Sequence, residues 1–341
     1  MHPGSLLDTI NIDGLRRYLL SRGVLAQGAL TVSVITGGRS NLTFKISDES
    51  RSWVLRRPPV AGLTPSAHDV GREYQVINAL QQTAVPVAGT VVNCTDESVL
   101  GCPFTIVDFV PGRMLQTQAD LATVTDHDLA AVHQELVRVL VELHDVPFRE
   151  VGLSNFGRGQ GFYERQVRRW GQQWEHVSAC ELADMDRLRA QLAVQSPPSG
   201  PPTLVHGDYR IDNALFDSGN RMLALVDWEM STVGDPLTDV AMLCVYQHHA
   251  FDHVVGQPAA STSSRWPGID TVAQEYSAVS GRPLRDFSAY LGLGYFKLAV
   301  IAAGIAARYR AGGTTEAGYA TAELAVQPLV AAGLSALAAA R

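Results

Sequence analysis

Cysteine is scarce in this chain of 341 residues: Cys94, Cys102, Cys180 and Cys244 are the four, and none forms a close metal-type pair. A secreted disulfide framework is not suggested and all four read as reduced thiols, although Cys94 and Cys102 are near enough to be neighbours in a hairpin. Positive charge is also in short supply. Lys and Arg number 27 against 34 Asp and Glu, a net charge of −7. General nucleic-acid binding needs clustered basic residues, so no nucleic-acid partner is expected, though a local basic pocket for an anion remains compatible. The N-terminal Met1-His-Pro-Gly-Ser lacks the basic start and apolar run of a signal peptide. The most membrane-like stretch, Leu291 to Ala307, carries Lys297 near its middle and is short for a span. The expectation is a buried core helix in a cytoplasmic protein with no membrane partner. Nothing in the sequence bears on oligomeric state.

The hydrophobic residues that are present, 46% of the chain, suffice for two lobes. Leu15, Tyr18 and Leu19 give helical spacing over Asp13 to Arg22. Strand texture follows at Thr31–Ile35, Asn41–Ile46 and Ser52–Arg56, punctuated by Gly37-Gly38 and closed by Pro58-Pro59. A helix is expected over Ala67–Gln81, then strands over Gly89–Asn93 and Phe104–Phe109, with Pro111-Gly112 ending the first lobe. Residues 1–110 are thus read as a β-rich N-terminal lobe and 111–341 as a larger helical one. Long amphipathic helices fit Asp126–His144 and Phe162–His176. A Pro-rich linker, Ser196–Pro202, precedes strands at Thr203–His206, Ala214–Phe216 and Met222–Val226, and an Ala-rich helix runs from Tyr319. No internal repeat is visible.

Chemistry concentrates in Leu204-Val-His-Gly-Asp-Tyr-Arg-Ile-Asp-Asn213 and in Ala224-Leu-Val-Asp-Trp-Glu229. Phosphoryl transfer needs a group that accepts or orients the attacking hydroxyl's proton and hard oxygen ligands for Mg²⁺. Asp208 suits the first role, Asn213 and Asp227 the second. An isolated Asp or Asn at a strand end usually bonds its own backbone; the ordered set is what argues for function. Two strands joined by a short turn would carry all three to one rim.

These motifs resemble the catalytic loop (His206-Gly207-Asp208-Tyr209-Arg210 with Asn213) and the metal-binding Asp (Asp227) of the aminoglycoside phosphotransferase-like family, relatives of protein and choline kinases. The resemblance runs from about Val34 to about Lys297. It implies an α+β, bilobal protein-kinase-like fold with a small β-rich N-lobe, a larger α-helical C-lobe and ATP between the lobes. It also implies Asp208 as catalytic base, Asn213 and Asp227 as Mg²⁺ ligands, and His206 as a brace of the loop. Arg210 has two readings of equal weight, a cation on the transferring phosphoryl group or a plain surface residue.

Upstream, Thr36-Gly-Gly-Arg-Ser-Asn41 resembles the family's nucleotide loop, with Gly38 allowing close backbone approach and Ser40 and Asn41 placed to donate to phosphate. Strand alternation puts Arg56 and Val54 on one face and turns Arg57 away. Arg56 stands where the family usually has Lys, and its planar fork would place phosphates differently from an ammonium. Glu73 is the expected partner of Arg56, and backbone groups near Asp108 and Val110 the expected contacts of the adenine edge. Asp235 reads as a cap or loop brace and Asp239 as a partner of the catalytic loop. Glu229 either assists the metal indirectly or makes a buried hydrogen bond.

The expected acceptor is a small-molecule hydroxyl. The string Val226–Pro236, with Leu55-Arg-Arg-Pro-Pro59, is most similar to the kinase-like domains found with acyl-CoA dehydrogenases, which suggests a hydroxyacyl-CoA or hydroxy acid. Arg165, Arg168 and Arg169 beside Tyr163 and Trp170 either attract an anionic acceptor or form a solvated basic face. His248, His249 and His253 read as loop or pocket residues. A weakly catalytic nucleotide-binding regulator and an aminoglycoside or sugar kinase are the alternatives. A protein kinase is disfavoured because Asp-Phe-Gly and Ala-Pro-Glu are missing.

Overall fold

The computed structural model describes residues 6–7, 9–24, 29–35, 41–59, 69–178, 181–312 and 317–339. The chain divides into two compact units, Met1–Gly112 with Leu223–Ser231, and Arg113–Met222 with Thr232–Arg341. The fold is α+β, with its long antiparallel sheet in the first unit and most helices in the second.

The first unit is built on five antiparallel strands, β1 (Thr31–Val34), β2 (Leu42–Ser47), β3 (Ser52–Arg57), β4 (Thr90–Cys94) and β5 (Phe104–Asp108), in the order β1-β2-β3-β5-β4. Alternation decides its faces. Phe44, Ile46, Trp53, Leu55, Phe104 and Ile106 point to one side, where Leu15 and Leu19 of the N-terminal helix Ile12–Ser21 join their core. Arg57 follows the same alternation inward and donates to the Thr9 carbonyl at 2.9 Å. The opposite face carries Thr43, Lys45, Val54, Arg56 and Val107, in register Thr43↔Arg56, Lys45↔Val54 and Val54↔Val107. Asp69 caps the helix Val70–Leu80 by accepting from the Arg72 N–H at 2.9 Å.

The second unit is dominated by the helices Asp126–Asp145, Phe162–Val177, Ala183–Val194, Leu237–Val245, Ile269–Ser280 and Phe287–Arg310. The last is the stretch expected as a core helix. Phe287–Arg310 and Tyr319–Ala338 are long and apolar enough to cross a membrane by length and composition alone; 89% of the first's apolar window is buried inside the protein, against 39% of the second's. The Ala-rich segment from Tyr319 is not one α-helix. It is a 3-10 stretch to Ala325 and an α-helix only over Val326–Ala338. Pro328 is the reason: it has no N–H for an i−4 bond and its ring would strike the Leu324 carbonyl, so it fits only the first turn of a helix.

Short strands in this unit position the signature residues. β6 (Thr203–Val205) pairs with the later β9 (Thr232–Gly234) in register Leu204↔Val233 and ends just before His206. A 3-10 turn, Ile211–Asn213, leads into β7 (Ala214–Phe216). Then β8 (Met222–Leu225) carries the chain toward Asp227 in the first unit.

Candidate active site

In the second unit the loop between β6 and β7 is pinned from several directions. The His206 ring is fully buried, and its Nδ1 accepts the Asp208 N–H at 3.2 Å. Tyr209 is equally buried and donates its hydroxyl to the Leu136 carbonyl at 2.7 Å, tying the loop to the helix Asp126–Asp145. Asp239, in the helix Leu237–Val245, accepts the His206 N–H at 2.6 Å and the Gly207 N–H at 2.8 Å. Its Oδ2 lies 3.4 Å from His144 Nε2, whose other ring nitrogen is 2.8 Å from the Tyr276 hydroxyl. With Asp239 ionised, the Nε2-protonated tautomer satisfies both contacts. Gly207 has φ 82°, a conformation few side-chain-bearing residues adopt, and this turn is what permits both N–H groups to converge on one carboxylate.

The loop delivers Asp208 among donors. Asn213 Nδ2 bonds the Asp208 carboxylate at 2.9 Å and its backbone carbonyl at 2.8 Å, Arg210 Nε lies 3.3 Å from Oδ2, and the Tyr246 hydroxyl donates to Oδ1. Burial by itself would raise the carboxyl pKa, but Arg210, Lys297 and the Tyr246 hydroxyl hold it well below the usual carboxylate range. Asp208 is therefore an ionised acceptor at any ordinary pH. Because Asn213 spends its nitrogen on Asp208, its carbonyl oxygen is the end suited to a hard cation.

Arg210 is no plain surface residue. Its side chain is 16% exposed, it pairs with both Asp208 and Asp212, and its guanidinium lies over the Tyr246 and Phe251 rings. Asp235 does act as a brace, accepting from the Leu237 N–H at 3.0 Å and the Tyr290 hydroxyl at 2.8 Å. Arg165 is turned back onto the Gln160 and Arg158 carbonyls, whereas Arg168 and Arg169 are exposed. His248 and His249 stack with ring centres 4.3 Å apart, and His248 also meets the Tyr295 ring edge-on.

The first unit holds the other cluster. Arg56 Nη1 is 3.0 Å from Glu73 Oε2, and Nη2 is 3.4 Å from Asp227 Oδ1. Burial opposes the Arg56 charge, but Glu73, Asp227 and Glu229 outweigh it. Burial, with Asp227 alongside, pushes Glu73 up to about 7 against the pull of Arg56 and the Asn41 amide. Asp227 has φ 68°, a left-handed conformation that is strained for a non-glycine residue and common at functional positions. Glu73, Asp227 and Glu229 offer carboxylate oxygens within 4.8 Å of one another. With Glu73 neutralised by Arg56, Asp227 and Glu229 supply the hard oxygens, a donor set that fits Mg²⁺.

Asn41 departs from expectation: its amide donates to Glu73 Oε1 at 3.1 Å, so it braces the ion pair. Gly38 and Ser40 lie outside the described residues. At the end of β5 the Asp108 N–H is committed to Gly89 at 2.7 Å and the Val110 carbonyl to the Gly112 N–H at 2.9 Å. A Cβ at Gly89 would come within 2.1 Å of Asp108 Oδ2, so a side chain there would require the exposed Asp108 carboxylate to swing aside.

Sequence reasoning missed the roles of Tyr246 and Lys297, which reach the loop from 38 and 90 residues away; Tyr246 carries no local signal, whereas a lysine inside an apolar helix is one.

A profile of the phosphotransferase enzyme family, APH, matches residues 31–272, more than two thirds of the chain. The chain belongs to that family. Among curated proteins this family member is 34% identical over 316 residues to acyl-CoA dehydrogenase family member 11 of Gallus gallus, a match covering 90% of this chain and 40% of that protein. The human protein of the same name is 30% identical over 326 residues, covering 94% and 42%. The chain thus spans about two fifths of the length of these relatives. Among solved structures, a candidate aminoglycoside phosphotransferase from Ralstonia eutropha JMP134 is 30% identical, with a TM-score of 0.81 over 96% of this chain and 98% of that one. A thermostable variant of the aminoglycoside phosphotransferase APH(4)-Ia, in complex with AMP-PNP and hygromycin B, matches with a TM-score of 0.60 at 17% identity, covering 94% and 98%. At that identity the likeness speaks for the kinase-like fold alone.

Proposed function

We propose that this chain transfers the γ-phosphoryl group of ATP to the hydroxyl of a small hydroxyacyl-CoA or hydroxy acid. The observation that carries the reading is the Asp208 carboxylate, ionised, aimed by Asn213 and Tyr246, and neighboured by the Arg210 guanidinium. The acceptor oxygen would bond to the γ-phosphorus as the bond from that phosphorus to the β–γ bridging oxygen breaks, ADP leaving with the electron pair. The hydroxyl proton passes to Asp208. Its low basicity suits a loose transition state, in which orientation of the hydroxyl matters more than early abstraction. Arg210 stands near the same carboxylate as a countercharge for the phosphoryl oxygens.

For the nucleotide, Arg56 is the proposed phosphate contact, held by Glu73; the Asp108 carbonyl and Val110 N–H are the proposed adenine contacts. Asn213 and Asp227 are the proposed Mg²⁺ ligands, and Mg²⁺ would supply charge neutralisation on the phosphate oxygens. An anionic acceptor is supported by the exposed Arg168 and Arg169 on the helix that also carries Trp170. The likeness to acyl-CoA dehydrogenase family members supports an acyl-CoA, although the chain covers only part of those proteins.

The test is a mass-spectrometric screen for ATP- and Mg²⁺-dependent gain of phosphate on hydroxyacyl-CoAs, hydroxy acids, sugars and aminoglycosides. Phosphate on a hydroxyacyl-CoA or hydroxy acid, lost on adding EDTA, is the expected result. Binding of AMP-PNP–Mg²⁺ with no acceptor phosphorylated would favour a nucleotide-binding regulator instead, a reading prompted by the contact of Arg56 with Asp227. Arg56→Lys keeps the charge but cannot span Glu73 and Asp227 with one planar fork. Losing one charge-assisted hydrogen bond, worth about 1.5–3 kcal/mol, is expected to raise the KM for ATP about tenfold or more in steady-state kinetics.

A further inference from the structure

A lysine stands near the middle of the apolar helix Phe287–Arg310, among Tyr295, Phe296, Leu298 and Ala299, and its residue is only 8% exposed. A leucine or methionine would suit such a place better, because a buried ammonium is retained only when specific partners compensate its lost hydration. Lys297 has such partners, and they belong to the catalytic loop. Its Nζ donates to the backbone carbonyl of Gly207, the residue immediately before Asp208. Burial pulls its pKa below the ordinary lysine value; Asp208 and Asp239 favour its charge and offset part of that cost, Arg169 adds to it, and the Trp170 ring lies 5.7 Å away.

Asp239 takes the Gly207 N–H at 2.8 Å while Lys297 takes the Gly207 carbonyl. Gly207 is thereby gripped through its N–H and its C=O by groups of opposite charge, and φ at this glycine, 82°, is set within that grip. The direction in which the next residue's side chain leaves the backbone follows from the peptide so held. A merely stabilising lysine could have paired with a carboxylate at the helix surface; this one reaches the carbonyl that aims Asp208.

We propose that Lys297 is a positioning residue of the phosphotransferase site, holding the Gly207–Asp208 peptide by its carbonyl while Asp239 holds the Gly207 N–H. The inference rests on the assignment of Asp208 above, and its test does not depend on knowing the acceptor. In the full chain, Lys297→Met is compared with the native protein by hydrogen exchange of peptides covering Val205–Asn213, by AMP-PNP–Mg²⁺ affinity, and by slow ATP hydrolysis with water as acceptor. Exchange over His206–Asp208 should quicken at least tenfold, while peptides from the rest of Phe287–Arg310 keep their native rates. Nucleotide affinity should stay within twofold and turnover should fall about a hundredfold, the size of loss that a misplacement of about 1 Å produces. Lys297→Arg should restore part of both the protection and the turnover.

Loop exchange within twofold of native in Lys297→Met overturns the proposal, as does quickening spread evenly over the helix, which would assign Lys297 to core stability alone. Should Lys297→Met fail to fold, Lys297→Gln and Lys297→Arg are read by the same exchange measurement, with the same outcomes deciding. A native chain without turnover would count against the proposed function and leave the exchange result to decide the role of Lys297.

Discussion

Asp208→Asn is expected to lower the rate of phosphoryl transfer by about 10²–10⁴-fold, the range a positioned general base contributes, with AMP-PNP–Mg²⁺ affinity within twofold of native. Asn is chosen over Ala because its carbonyl oxygen still accepts from Tyr246, and the backbone carbonyl of residue 208 still accepts from Asn213 at 2.8 Å. What goes is the negative charge, and with it the acceptor for the hydroxyl proton and the partner of Arg210 and Lys297. The measurement is kcat with the best acceptor from the screen, beside a thermal melt to show that the fold persists. Undiminished turnover in a folded Asp208→Asn protein would remove Asp208 as the base.

Asp239→Ala should cost about 3–5 kcal/mol of stability, as removing one partner of a buried charged network does. Asp239 is fully buried and serves two backbone N–H groups and His144 at once; alanine leaves three donors without an acceptor where no water replaces it freely. Denaturant unfolding gives the value. The pH dependence has a definite sign. Burial would raise the Asp239 pKa, but His144, His206 and the Gly207 N–H more than offset it, so the folded value lies below the usual aspartate range. The stability contributed is complete above the unfolded value of about 3.9 and is lost as pH falls through the depressed folded value. Asp239→Asn, which cannot ionise, should show a shallower loss of stability below pH ~4. An acid limb as steep as the native one would refute this account of the loop's anchor.

Local pattern made much of this protein legible. Alternation and breakers give the five strands of the first unit to within a residue or so, and place Arg56 and Arg57 on opposite faces, because a strand's faces are set by parity alone. Asp208 and Asn213 were readable as a pair because five residues of loop bring them together. Asp239 was readable as a partner of that loop, and its carboxylate does accept the Gly207 N–H. Tyr246 and Lys297 were not: one approaches from the end of a helix and the other from the middle of another, and no short window of sequence records how those helices pack. Asn41 was read by its place beside a glycine turn, yet the buried Glu73 has the stronger need for a donor. Pro328 limits the C-terminal helix by its position within a turn, a point that an alanine-rich composition conceals.

The passage of Leu223–Ser231 through the first unit has a consequence for how such a chain can be divided or inherited. The backbone crosses from one unit to the other after Gly112, after Met222 and after Ser231, so no single cut separates them. A fragment ending at Gly112 would retain Arg56 and Glu73 but lose Asp227 and Glu229, leaving the guanidinium with only one of the two carboxylates it touches. Recombination within this family would therefore be expected to exchange the two units together.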